Sequence, residues 1–91
     1  MSNVKLIKFK TGEEIISEIG EERIPGFIRL IQPAYAIVKE STVYLQPFLA
    51  LAKNRKAIDV PIETVMCQVD PVNEVLNKYN SVFGSGIVVP N

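Results

Sequence analysis

The sequence predicts a mainly β domain with one α-helix at its C-terminal end. Three observations carry that reading. Short runs of alternating apolar and polar residues recur from Val4 onward, each bounded by glycine, proline or charge. Pro25, Pro33, Pro47 and Pro61 fall within or between those runs, where they would break a helix. A helical period shows only after Asp70-Pro71. At 91 residues the chain suits one domain with a thin core. The expected division is a β-barrel over 4–70, a helix over 71–83 and a tail over 84–91.

Val4–Phe9 reads VKLIKF, and its alternation breaks once, between Leu6 and Ile7. A strand with both faces partly covered fits, and so does one with a bulge. Gly12 in the KTGE turn supplies a positive φ. Glu14–Ile19 then sets Ile15, Ser17 and Ile19 on one side and Ile16 and Glu18 on the other, which completes a hairpin candidate. GEERIPG, residues 20–26, is a wet loop.

Phe27–Val38 is apolar except at Gln32-Pro33. Pro33 disfavours a helix and leaves two β segments around a bend, or one bent strand with a bulge. Lys39-Glu40-Ser41 is a polar turn. Val43–Ala52 is the next strand candidate, and it bends at Pro47. Its second half fits a strand or a short helical turn. Lys53–Lys56, KNRK, is an exposed loop. Ala57–Val60 and Thr64–Val69 are the closing strands, split by Pro61, with Val65, Cys67 and Val69 alternating as in a half-buried strand. The total is about five short strands.

Asp70 reads as a helix N-cap and Pro71 as the first helical residue. Val72, Val75, Leu76, Tyr79 and Phe83 make one apolar stripe, and Gly84 fits a C′ stop. Glu74 and Lys78 suit the helix dipole and an i, i+4 pair. The stripe is expected to complete the domain's own core; docking on a partner is the alternative.

Composition excludes much chemistry. The chain has no histidine, which removes Ser-His and Cys-His pairs and histidine metal sites. Cys67 is the one cysteine, so it forms no internal disulfide, and alone it makes no zinc site. It is expected to pack as a small core residue. The glycines show no phosphate-cradling spacing. Glu13-Glu14 and Glu21-Glu22 are adjacent, so their side chains point apart on a strand. No catalytic residue, metal or cofactor is assigned, and the chain reads as a non-enzyme. No window approaches the ~18–20 apolar residues that span a bilayer, and MSNVKLIKFK lacks the apolar core of a signal peptide. A cytoplasmic protein is the expectation.

The formal net charge is zero, ten basic against ten acidic residues. That weighs against broad non-specific nucleic-acid affinity but leaves room for one charged face. Lys53, Asn54, Arg55 and Lys56 form the best basic feature, read as phosphate contacts or as a solvated loop. Tyr44 and Phe48 could stack on bases or pack in the core.

The segments VKLIKFKTGEEIISEI and AIDVPIETVMCQVDP resemble the Sm-like family, which includes Hfq and the Lsm proteins. The likeness covers residues 4–70 and is strongest to small Sm-like proteins of phage origin, particularly cyanophage. The resemblance implies a strongly bent five-stranded open barrel, SH3-like in shape. It implies a homo-oligomeric ring of about five to seven subunits, joined fourth strand to fifth. Tyr44, Leu45 and Phe48 would line one edge of each contact, and Val65, Cys67 and Val69 the other. Single-stranded RNA is the implied partner.

The chain departs from the family in three places. The helix falls at the end rather than the start. GEERIPGF lacks the family's Asp and Asn, and DVPIET lacks its Arg-Gly or Lys-His. No RNA-contact residue carries over. Two other classes remain: a structural or adaptor ring without RNA, and a monomeric SH3-like peptide binder. The last sits poorly with the absence of tryptophan.

Overall fold

Paired isoleucines on both faces of one hairpin set the architecture. In the computed structural model, which describes residues 3–53 and 56–83, strand β1 (Val4–Phe9) pairs antiparallel with β2 (Glu14–Ile19). Leu6 faces Ile16 across the ladder and Ile7 faces Ile15. Neighbours along a strand point to opposite sides, so each face receives one apolar pair. The break in alternation at Leu6-Ile7 is therefore two-sided burial. A register shift also occurs at Lys8/Phe9, but toward the last strand.

β3 (Phe27–Lys39) is one bent strand. Gln32 at its middle has φ 52°, and the β2–β3 register skips Gln32 and Pro33 against Ser17. The bend gives β3 two successive partners along its outer edge. Phe27–Ile31 pairs with β5 (Ala57–Pro61), and Ala34–Lys39 pairs with β4 (Thr42–Pro47). A 3-10 turn (Ile62–Thr64) leads to β6 (Val65–Val69), which pairs with β1. The result is an open antiparallel sheet in the order β4-β3-β2-β1-β6, with β5 beside β3.

Helix α1 spans Asn73–Phe83. Its Leu76 and Tyr79 are buried with Val4, Ile16 and Ala34, and Val75 and Phe83 pack alongside. The helix thus completes its own domain's core. On the opposite face Ile7, Phe9, Ile15, Ile28 and Leu30 form a second cluster. Fully burying side chains such as Ile7, Ile15, Ile16 and Leu30 stabilises the fold by about 1.5–3 kcal/mol each. The sheet curls around this second cluster. The rings of Phe9 and Phe48 lie 5.9 Å apart and nearly parallel. Phe48 follows β4 directly, and in a flat sheet β1 and β4 would be separated by about 14 Å, three strand spacings.

The structure corrects four expectations. Among the described residues there are six strands rather than about five, because Ala57–Pro61 and Val65–Val69 pair with different strands, β3 and β1; the 43–52 candidate also ends at Pro47, and residues 48–51 turn away from the sheet. The helix starts two residues late. Asp70 does not cap it but pairs with Lys5 at 2.5 Å, and the Val72 carbonyl accepts the Leu76 N–H at 3.0 Å. Val72 is correspondingly exposed. Cys67 is exposed, not core, and β6 is not half-buried: of its residues only Val65 is partly covered. β6 lies at the end of the sheet, while α1 packs over β4 and the sheet's middle. Gly84 and the 84–91 tail lie outside the described residues.

Candidate functional site

The chemistry-bearing features collect at the two ends of the sheet. At one end, β4 and β5 follow each other along β3, and a loop interrupts them where β3 bends. Backbone bonds fix its base: Phe48 N–H to the Pro33 carbonyl at 2.9 Å and Gln32 N–H to the Lys56 carbonyl at 2.7 Å. A tight turn closes within it, Ala52 N–H to the Leu49 carbonyl at 3.0 Å. Phe48 packs inward against Phe9 and Tyr35, with the Tyr35 ring centroid 5.5 Å away. It works here as a core anchor for the loop.

Lys53 and Lys56 are exposed on this loop; Asn54 and Arg55 lie outside the described residues. Sequence reasoning missed what stands beside the lysines. Leu49 is 43% exposed and Leu51 is fully exposed at 101%. The signal was present in FLALA, an apolar run with no strand left to pair it.

Of the expected edge residues, Tyr44 stands out from β4, 52% exposed, and lies opposite Ile37, also exposed. Leu45 is partly buried beneath α1, and Val65 is partly buried in the inner cluster. Cys67 and Val69 are exposed on β6, together with Met66, which sequence reasoning left out. Among the described residues, no strand pairs with the outer edge of β4, β5 or β6. Glu63 precedes β6 and Asp70 follows it, and both are exposed, so acidic groups bracket the apolar strand.

One half-buried charge pair ties β5 to β3 at the first end. Arg29 and Asp59 face each other across β3 and β5 at 3.0 Å, each about one-fifth exposed. Arg29 thereby braces β5 against β3. A polar groove of 450 Å³ lies between Thr42 and α1, lined by Ser41, Glu74, Asn77 and Lys78. Among the described residues, no three His, Cys, Asp or Glu side chains stand close enough to hold a metal ion. No described helix is long and apolar enough to cross a membrane. The arrangement can offer unpaired strand edges, apolar side chains beside them and lysines on one loop. That is equipment for association.

No protein-family model matches the chain, and no curated protein matches it either.

Proposed function

We propose that this chain acts as a homo-oligomeric ring of Sm-like architecture that holds single-stranded RNA. One observation carries the reading. A curled sheet ends in β4 and β5 on one side and β6 on the other; among the described residues no strand pairs with either outer edge, and both carry exposed apolar side chains. Free edges of this kind invite pairing with another chain, and a closed ring removes them all at once. The contact is head to tail: β6 of one copy meets the β4–β5 edge of the next. A ring also repeats the KNRK loop once per copy. A chain of zero net charge can then present several basic loops to one phosphate backbone, with avidity the single loop lacks.

The adaptor reading is favoured by a separate observation, the exposed Leu49 and Leu51 next to Lys53. Leucines are poor partners for phosphate and good partners for protein. Anisotropy of a labelled U-rich oligonucleotide separates the two. Binding is expected at low salt, weakening steeply as salt rises and lost in K53E/R55E/K56E. A wild-type ring that leaves the oligonucleotide free at low salt removes RNA and leaves the adaptor.

A further inference from the structure

We propose that the loop after β4 is an arm that clasps the neighbouring copy, seating Leu49 and Leu51 against Cys67 and Val69 of that copy's β6. The inference rests on the ring reading and specifies what the contact is made of.

The arm's position comes first. β4 and β5 lie in succession along a single edge of β3, and residues 48–53 leave the edge that a second copy would meet. The excursion is held at its base. Phe48 is anchored between Phe9 and Tyr35, and the backbone bonds to Pro33 and from Gln32 fix where the loop leaves and rejoins the sheet. A loop held this way projects its tip in a set direction.

The tip is apolar and uncovered. Leu51 touches nothing that shields it, so the arm does not fold back on its own β6. β6 has the matching deficiency: Cys67 and Val69 lie on one face opposite Lys8 and Leu6, both are exposed, and Val69 is 51% exposed. Charge follows the same complementarity. Past the leucines the arm continues to exposed Lys53, while exposed Glu63 stands just before β6. An apolar centre with opposite charges at its margin is how protein interfaces are commonly built. An RNA or a lipid headgroup would use the lysines but not the leucines, which still need an apolar partner. A second copy accounts for both surfaces.

Two variants test this. L49D/L51D is expected to shift the particle mass toward the 10.1 kDa of a single chain at unchanged protein concentration. L51C uses Cys67, the chain's one native thiol, as its partner. Mild oxidation of L51C is expected to give a ladder of covalent products beyond a dimer, which needs both thiols. Wild type and L51C/C67S, each with one thiol, stop at a dimer. If L49D/L51D keeps the wild-type mass, the arm is overturned and the ring stands. If that variant fails to fold, the L51C ladder decides: its absence overturns the arm. A wild-type protein of 10.1 kDa would remove the ring and the arm together.

Discussion

The hydroxyl of Tyr79 on α1 accepts the backbone N–H of Glu18 on β2 at 3.1 Å. The same hydroxyl lies 2.8 Å from the Ile31 carbonyl and 3.0 Å from that of Gln32, and shares its single proton between them. This is the place where the β2–β3 ladder slips and the backbone loses its regular partners. Buried Ser17 helps, donating toward the Ile31 and Glu18 carbonyls at 3.0 and 2.9 Å. The helix therefore does more than cover apolar surface. It supplies a hydrogen-bond partner for backbone groups that the bend in β3 would leave unsatisfied.

Removing that hydroxyl should cost stability without emptying the core. Y79F keeps the ring against Phe83 and strips the bonds at the bulge. Urea unfolding is expected to show a loss of about 1–3 kcal/mol with an unchanged m-value. A loss below about 0.5 kcal/mol would mean that water serves the bulge equally well.

The same group sets an alkaline limit. Burial is the main cause that pushes the Tyr79 phenol up to about 12, from its ordinary value of 10.0. The folded state thus keeps a proton that the unfolded chain gives up. Its contribution is complete below pH 10 and is lost as pH rises through about 12. The stability difference between wild type and Y79F is expected to shrink across that window. A constant difference from pH 9 to about 12 would contradict it.

The β3–β4 hairpin turns on two non-glycine residues in left-handed backbone, Glu40 at φ 52° and Ser41 at φ 65°. Lys39 and Thr42 pair on either side, so this is a two-residue turn of the kind that favours Asn-Gly. E40N/S41G is expected to raise stability by about 0.5–1 kcal/mol, read as a higher urea midpoint. A lower midpoint would show that the Glu40 and Ser41 side chains contribute more than their backbone costs.

Probes of the ring must spare the core. Leu45 and Val65 are partly buried in the two clusters, so an aspartate there would damage the fold itself. Tyr44 and Val69 stand in the open at opposite ends of the sheet. Y44D and V69D are each expected to dissociate the oligomer while changing the monomer's own stability by less than about 0.5 kcal/mol. An unchanged particle mass in both would remove these edges from the contact.

Much of this fold was legible in residue order. The Leu6-Ile7 doublet fitted a strand covered on both faces as well as a bulged one, and Val75, Leu76, Tyr79 and Phe83 announced the helix that covers one face. The bend at Gln32-Pro33 was visible as a choice between two strands and one. Two features were hidden, for physical reasons. The position of β6 at the sheet's end depends on strand order, which alternation within VMCQV does not encode, so Cys67 and Val69 looked half-buried. The late start of α1 was hidden because Asp70-Pro71 has the residue order of a cap, whereas in the fold Asp70 pairs with Lys5, distant in sequence. Of the candidate site, the exposure of Lys53 and Lys56 was readable. Leu49 and Leu51 were not singled out, because an apolar run after Pro47 reads as continued strand until its lack of a partner is seen.

The central claim is that the free edges of this sheet pair with one another in a closed ring. Light scattering on the purified wild-type protein tests it most directly. The ring account expects one species of about five to seven times the chain mass, constant over a range of concentrations. A stable 10.1 kDa species would contradict it and leave the edges of β4 and β6 without the partner argued for them.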